Sequence, residues 1–229
     1  MSDECENCGA AISKGSAFKG ENLRLQAAYV IKANFINQTT APEMCQKCGH
    51  PALTQANETL DREIVERAAF LQQHITDFPM FTLAWLPANI SVKLKNMVTA
   101  NITVGTGLFN EMSQSWSDAF GAVNTTGGMT GKINKGEATA RAILIDKAMR
   151  MGANCLLAVD VDYGTTANNA ATINMQATAA SIANLEALLD EAELQRADAL
   201  QEAYRRIAQL RRWRAGHDIP TTAPSEAVE

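Results

Sequence analysis

The fold is decided by residues 133–163, a stretch that closes with the sequence Arg150-Met-Gly-Ala-Asn-Cys155-Leu-Leu-Ala-Val-Asp160-Val-Asp-Tyr163. In its first half, apolar residues recur every three or four positions, which predicts an amphipathic helix. The predicted apolar stripe of that helix consists of Ala138, Ala142, Ile145 and Met149, widened by Ile143, Leu144 and Ala148. Its predicted solvated face consists of Glu137, Arg141, Asp146, Lys147 and Arg150. Gly152 comes after the last apolar position, and a glycine there can adopt the left-handed conformation that ends a helix.

A buried strand is predicted directly after this helix, at 155–163. The run is short and rich in branched apolar residues, which favours a strand over a second helix. Its first half is apolar on both faces, whereas its second half alternates and places Asp160 and Asp162 on the same face. The remaining elements of this part of the chain are predicted as strands at 80–86, within 92–104 and at 170–180, a helix at 108–120 and a glycine-rich loop at 124–132.

The N-terminal quarter contains two nearly identical motifs, Cys5-Glu-Asn-Cys-Gly9 and Cys45-Gln-Lys-Cys-Gly49. Both thiolates of such a turn can face one ion, so two turns supply the four soft ligands that zinc prefers. The predicted ligands are Cys5, Cys8, Cys45 and Cys48. The pattern resembles the zinc-ribbon family, with residues 23–36 predicted as one or two strands. We favour a structural zinc, because four cysteines leave no open position for catalysis; a redox cysteine pair is the alternative.

Two further helices are predicted outside the central stretch. Residues 57–75 form a connecting helix that Asn57 can cap, and residues 182–215 form a long amphipathic helix. Acidic residues crowd the start of the long helix and arginines its end, as the helix dipole favours. The run Arg211-Arg-Trp-Arg214 could alternatively contact anionic lipid or RNA, but complementarity with the helix end is the preferred interpretation. Gly216 and Pro220 end this helix.

Composition and charge narrow the classes of function. The chain has 229 residues, a formal net charge of −5 and five cysteines. No strongly basic segment stands out, so nucleic acid is not expected as a partner. No stretch reaches the roughly 18 uncharged apolar residues of a membrane span, and no signal sequence is recognised. We therefore expect a cytoplasmic protein, in which cysteines serve as metal ligands or free thiols rather than disulfides.

Several patterns that could indicate catalysis are incomplete. The run Gly127-Gly-Met-Thr-Gly-Lys132 lacks the glycine and the final Ser or Thr that a phosphate-binding Walker A loop requires. No Cys–His or Ser–His–Asp set can be assembled from the sequence. Asp160 and Asp162 could bind a hard cation or act as acid and base, although two acidic residues on one strand face more often belong to a solvated surface. Cys155 is interpreted as a small buried apolar residue.

Residues of about 81–181 resemble the YbjQ-like family, which is labelled as heavy-metal-binding. The resemblance is carried by Gly105 and Gly121, by the glycine-rich loop and above all by the stretch 150–163, in which a Gly-Ala-Asn turn precedes an apolar strand that ends Asp-x-Asp-Tyr. It implies a small β-α-β-β subunit that assembles into a ring, usually a pentamer. A four-stranded subunit with one helix also leaves a sheet face uncovered, which favours oligomerisation.

These patterns predict an α+β chain in five segments: a zinc ribbon (1–53), a connecting helix (54–77), a YbjQ-like oligomerisation domain (78–181), an amphipathic helix (182–217) and a disordered tail (218–229). Three functions follow. The first is a non-enzymatic homo-oligomeric scaffold whose zinc ribbon binds a protein partner. The second is a metal-homeostasis protein that uses Asp160 and Asp162 or the cysteines. The third is an enzyme with an interface site near the loop 124–136, using Lys132, Lys135 and Asp160.

Overall fold

The structure is a computed structural model that describes residues 4–13, 22–83, 85–104, 129–165 and 170–221. The chain forms two compact units, one within Met1–Glu66 and Arg206–Glu229 and the other within Arg67–Arg205. The described elements are α1 Ala27–Asn37, α2 Gln46–His74, β1 Val92–Val104, α3 Met129–Arg150, β2 Cys155–Thr165, β3 Ala171–Ile182 and α4 Glu191–Arg214, with single 3-10 turns at Ile75–Asp77 and Leu185–Ala187. Helices and a sheet in this order confirm the α+β class.

The second unit contains a three-stranded antiparallel sheet in the order β1-β3-β2. The inner face of β3 is apolar at alternate positions from Ala171 to Ala179, and these side chains are buried. Helix α3 covers this face with Ala140, Leu144 and Ala148, each fully buried. Ala138 of the predicted stripe is exposed instead. The elements β1, α3, β2 and β3 therefore reproduce the expected β-α-β-β order in the described residues.

The end of α3 confirms the role predicted for Gly152. Its backbone has a φ of +69°, and its amide donates to the carbonyl of Met149 at 2.9 Å. The amide of Ala153 donates to the carbonyl of Ala148 at 3.0 Å, which completes the paired hydrogen bonds of a Schellman motif. The chain is thereby turned from α3 directly into β2.

Asn154 links this turn to the sheet by imitating a backbone pair. Its Nδ2 donates to the carbonyl of Ile182 at 2.8 Å, and its Oδ1 accepts from the amide of Ile182 at 2.8 Å. Its own amide donates to the carbonyl of Ala180 at 2.9 Å. The asparagine of the Gly-Ala-Asn turn thus extends the β2–β3 ladder by one residue.

We expect Asn154→Asp to lower the free energy of unfolding by about 2–3 kcal/mol, because it removes a donor and turns an anionic oxygen toward the carbonyl of Ile182. The control is Asn101→Asp, an exposed residue of β1, for which we expect a change below about 0.5 kcal/mol. Urea denaturation followed by circular dichroism measures both. Equal stability of the two variants would contradict the role given to Asn154.

The predicted strand at 80–86 is not formed in the described residues of that range. Instead, Met80 makes a single parallel bridge to Leu156 of β2. The amide of Phe81 donates to the carbonyl of Leu156 at 2.8 Å, and the amide of Val159 donates to the carbonyl of Phe81 at 3.1 Å. The pairing stops there because β2 bulges between Leu157 and Asp160, where Ala158 has a φ of +51°.

The long C-terminal helix begins later than predicted. Strand β3 extends to Ile182, and α4 starts at Glu191. The start is defined by a reciprocal cap, in which the Glu193 amide donates to the Asp190 carboxylate at 2.7 Å and the Asp190 amide donates to the Glu193 carboxylate at 3.0 Å. The predicted helix 108–120 and residues 124–128 of the predicted loop lie outside the described residues, whereas residues 129–132 form the start of α3.

Asp146 was expected on the solvated face of α3, but it is only 8% exposed. Its carboxylate accepts from the Tyr204 hydroxyl of α4 at 3.0 Å and from Arg150 Nε at 2.7 Å. Burial, together with the adjacent Asp146 carboxylate, raises the pKa of Tyr204 from 10.0 to about 12, and Arg150 opposes the shift. These hydrogen bonds explain how a charged side chain is accommodated between two helices of this unit.

The first unit contradicts the zinc-ribbon fold, because residues 27–37 form helix α1 rather than strands. Val30 and Ala33 are buried three residues apart on the inner side of α1, and Ile36 follows after another three. This helical spacing prevails over the β-propensity of the branched and aromatic residues in the run. Only isolated bridges, Glu4 with Ala11 and Arg24 with Cys45, pair extended segments among the described residues of this unit.

Helix α2 also begins earlier than its predicted start at Asn57, and it contains Pro51. Gly49 and Pro51 lower the intrinsic helix propensity of this region, so the sequence alone places the start too late. Packing compensates: Ala52 and Leu53 contact the cluster of Val30, Ala33 and Met44, and Ala56 is fully buried.

The last turns of α4 pack within the first unit. Leu210 and Trp213 form a cluster with Leu60, and the rings of Trp213 and Phe35 meet edge to face at 5.0 Å. Ile219, in the predicted tail, packs against the same cluster. Three of the arginines here are paired with acidic residues: Arg206 with Glu63, Arg212 with Asp218, and Arg214 with Asp61. This pairing favours a structural role over binding of lipid phosphate or RNA.

We expect Tyr204→Phe to lower the free energy of unfolding by about 1 kcal/mol at about pH 8, because Asp146 loses a buried hydrogen bond. Between about pH 10 and 12 the folded protein keeps the Tyr204 proton that an unfolded chain loses, so this contribution to stability declines as the pH rises through that window. The stability difference between variant and parent should therefore shrink at about pH 11. Tyr29→Phe, at an exposed tyrosine, is the control, and an unchanged difference at alkaline pH would contradict the account.

Candidate metal centre

The first cysteine motif forms a compact turn. The Gly9 amide donates to the carbonyl of Cys5 at 2.8 Å, and the Cys5 amide donates to the carbonyl of Ala10 at 2.8 Å. Gly9 has a φ of +67°, a conformation that strains residues with a side chain. The turn carries the Cys5 and Cys8 sulfurs on a loop of few residues.

The second motif lies at the start of α2. Cys45 precedes the helix, Cys48 lies in its first turn, and the Gly49 amide donates to the carbonyl of Cys45 at 2.7 Å. A Cβ at Gly49 would lie 2.7 Å from Cδ2 of Leu25 and 3.2 Å from Cβ of Met44, so a larger residue here would require the Leu25 side chain to shift. The positive end of the α2 dipole favours thiolates at this position.

Asn22 holds the two motifs together. Its Nδ2 donates to the carbonyl of Ala11, beyond the first motif, at 2.7 Å. Its Oδ1 accepts from the backbone amide of Lys47, inside the second motif, at 3.1 Å. Asn22 could not be predicted from the sequence, because an asparagine far from either Cys-x-x-Cys motif carries no local signal.

The four sulfurs converge as predicted. The Sγ atoms of Cys5, Cys8, Cys45 and Cys48 all lie within 4.8 Å of one another. Individual separations are 3.7 Å for Cys5–Cys48, 3.6 Å for Cys8–Cys45 and 3.8 Å for Cys45–Cys48. A tetrahedral ion with metal–sulfur bonds of about 2.3 Å requires sulfur separations of about 3.8 Å, whereas a disulfide needs about 2.05 Å.

The donor set therefore fits a four-coordinate soft or borderline metal ion. Such a site is closed, because four protein ligands complete a tetrahedron and leave no position for water or substrate. His50 is exposed and does not belong to the cluster. The geometry does not favour a redox cysteine pair. None of the four thiols forms a disulfide, and sulfurs from different motifs lie as close together as Cys45 and Cys48 of the same motif.

Hydrogen bonds to the sulfurs adjust their acidity before a metal binds. Burial disfavours the Cys45 thiolate, but the Cys48 backbone, Asn22 and the neighbouring thiols donate to it and lower its pKa to about 6. For Cys8, a hydrogen bond at the Ala10 backbone lowers the pKa, while burial and sharing of protons with the other thiols raise it to about 12. Asn7 Nδ2 also donates to the Cys48 sulfur at 3.5 Å.

Asp160 and Asp162 lie on the open face of the sheet, as their alternation predicted. Their register partners on β3 are Gln176 and Asn174. Both aspartates are exposed, and Asp160 accepts from Gln176 Nε2 at 3.2 Å. Among the described residues, no third His, Cys, Asp or Glu joins them in a metal-sized cluster.

The candidate enzyme site near 124–136 cannot be assembled from the described residues. Residues 129–136 form the first turns of α3, and the side chain of Lys132 lies outside the description. Cys155, by contrast, is fully buried as predicted, and burial raises its pKa to about 12.

A comparison with family models finds a match within the second unit but none at the cysteine cluster. Residues 80–183 match the YbjQ_1 family, which is described as "Putative heavy-metal-binding". This match confirms the resemblance and its extent. No curated protein matches the chain. The matched range contains none of the four clustered cysteines, so the metal-binding description and the cluster concern different parts of the chain.

None of the helices in the described ranges combines the length and apolar character that crossing a bilayer requires.

We expect Cys5→Ser to weaken metal binding more than about 100-fold. Replacing a residue that only hydrogen-bonds to a metal ligand typically lowers metal affinity by about 10- to 100-fold, and here a ligand itself is lost. The matched control is Cys155→Ser, a buried cysteine outside the cluster, which should retain the metal content of the parent. Metal analysis after exhaustive dialysis against a weak chelator measures both. Equal metal content in the two variants would rule out the cluster as the binding site.

Proposed function

We propose that the chain is a homo-oligomeric, non-enzymatic scaffold protein in which one zinc ion stabilises the N-terminal unit. The observation that carries the proposal is the sulfur cluster, whose separations of 3.6–3.8 Å suit a tetrahedral ion. Zinc is the favoured metal, because four thiolates in a closed tetrahedron match its structural sites. Of the predicted segments, the oligomerisation domain 78–181 remains part of this proposal.

The small size of the apolar clusters supports a stabilising role for the metal. In the first unit, one buried cluster consists of Val30, Ala33 and Met44, and another consists of Leu60, Leu210 and Trp213. Clusters of this size contribute modest hydrophobic free energy, and small units with small cores commonly rely on a metal. Free thiols persist in a reducing compartment, which supports a cytoplasmic location.

Assembly into a ring, with five subunits as the family resemblance implies, is supported by the edge of the sheet. Strand β1 pairs only with β3 among the described residues, so its other edge has no strand partner there. Its apolar side chains Val92, Leu94 and Met97 are 40%, 64% and 65% exposed. An exposed apolar edge strand is a ready site for association with another chain. Lys93 and Lys95 on the same strand would oppose unselective pairing.

The apolar stripe of helix α4 is not available for contacts between subunits. Its apolar stripe is already buried within the chain, as the exposures of at most 7% for Ala197, Leu200, Ala203, Ile207, Leu210 and Trp213 show. A bundle of α4 helices from several subunits is therefore not part of the proposal. The subunit interface is assigned to the sheet, and a protein partner is assigned to the surface of the first unit.

Metal handling is the second candidate function. It is favoured by the description of the matched family and by the paired carboxylates Asp160 and Asp162 on an open sheet face. It is weaker than the first because both carboxylates are exposed and lack a third ligand in the described part of the chain. No observation favours the enzyme hypothesis over either.

We expect Leu94→Lys to weaken self-association at least about a hundredfold, because an unpaired ammonium buried in an interface costs several kilocalories per mole. The matched control is Val65→Lys on α2, an equally exposed apolar residue at 66%, which should leave the assembly intact. Size-exclusion chromatography with light scattering measures the mass of each. A monomeric parent, or an unaffected Leu94→Lys assembly, would contradict the proposed interface.

A further inference from the structure

The four clustered cysteines differ sharply in exposure. Cys5 is 2% exposed and Cys45 is fully buried, while Cys48 is half-buried in the first turn of α2. Cys8 alone among these four is classed as exposed. A reagent approaching from solvent therefore meets the Cys8 sulfur before the other three.

The sulfurs of Cys45 and Cys48 also accept hydrogen bonds from neighbouring amides. The Cys45 sulfur receives hydrogen bonds from the Cys48 backbone and from Asn22, and the Cys48 sulfur receives one from Asn7 at 3.5 Å. Such donors withdraw electron density from a thiolate and orient it as a ligand. The Cys8 sulfur receives a backbone hydrogen bond at Ala10 but no described side-chain amide. A bound metal would hold all four sulfurs as thiolates. Exposure then decides which sulfur an electrophile reaches, and Cys8 is the exposed one.

The backbone around Cys8 lies outside any helix, so it can also rearrange without disrupting one. Cys8 lies in a turn, and the neighbouring Gly9 has open space around its Cα, since an added Cβ would meet no atom within 4 Å. Cys45 and Cys48, in contrast, are fixed at the packed start of α2, where Gly49 lies against Leu25. Displacing the Cys8 sulfur thus requires only a local rearrangement of the first turn.

We propose that Cys8 is the exchangeable ligand of the metal centre and the site at which thiol-reactive electrophiles modify it and release the metal. The inference rests on the proposed metal site. The ligand class is a soft carbon electrophile such as an α,β-unsaturated carbonyl compound.

The chemical step is balanced without an oxidant. An electron pair of the Cys8 thiolate forms a sulfur–carbon bond to the alkene, and the adjacent carbon takes a proton from water. The sulfur becomes a neutral thioether, which binds zinc far more weakly than a thiolate. Cys8 would then no longer hold the ion, and the three remaining thiolates would release it more readily than four.

The inference is tested on the full-length protein loaded with one equivalent of zinc. Limiting N-ethylmaleimide is added, modified cysteines are identified by peptide mass spectrometry, and zinc release is followed with a chromogenic chelator. We expect Cys8 to be alkylated at least about tenfold faster than Cys5, Cys45 or Cys48, with zinc released at the same rate. Cys155, buried outside the cluster, serves as the internal reference for global unfolding.

Two variants distinguish exchange of the Cys8 ligand from a general loss of structure in the first unit. Cys8→Ser should still bind zinc through three sulfurs, but with faster release to the chelator and without the rapid alkylation phase. Cys155→Ser, at a cysteine outside the cluster, is the matched control and should keep both the rapid alkylation of Cys8 and the accompanying zinc release. If zinc binds stoichiometrically but the four cysteines react at equal rates, or Cys8 is not first, the inference is wrong while the metal site stands. If the parent binds no zinc, the proposed function itself fails.

Discussion

The first unit is organised around four sulfurs that lie within 4.8 Å of one another. The cluster joins two motifs that are 37 to 43 residues apart in the pairs Cys8–Cys45 and Cys5–Cys48. Closing loops of this length costs chain entropy, which a metal bound by four thiolates can offset. Asn22 supports the same closure with hydrogen bonds to both motifs. The apolar clusters among the described residues of the unit add to this constraint.

Much of the second unit could be predicted, because its strongest signals are local. The periodicity of α3, the glycine that ends it and the alternation in β2 all depend on residues close together in the chain. Asp146 was misplaced because its burial depends on Tyr204, which lies 58 residues away. The segment at 80–86 was predicted as a strand from its composition, but the bulge at Ala158 limits its pairing with β2. Contacts between distant residues decided both departures.

The clustering of the four cysteines could be predicted from the sequence, but the fold of the chain around them could not. Two Cys-x-x-Cys motifs have few interpretations, and their sulfurs converge as expected. The strands of a zinc ribbon were inferred from residues 23–36, whose branched and aromatic side chains occur in either state. Burial of Val30 and Ala33 on one side favours the helix. The side chains that hydrogen-bond to the sulfurs, Asn7 and Asn22, carry no sequence pattern that could have identified them.

Native mass spectrometry of the purified full-length protein tests the central claim most directly, because one spectrum reads both the assembly and the bound metal. The account predicts a closed homo-oligomer that carries one zinc ion for every chain and keeps it under gentle ionisation. A monomer, a metal-free assembly that does not take up zinc, or several exchangeable ions per chain would contradict it. The last of these outcomes would place metal handling ahead of the scaffold role.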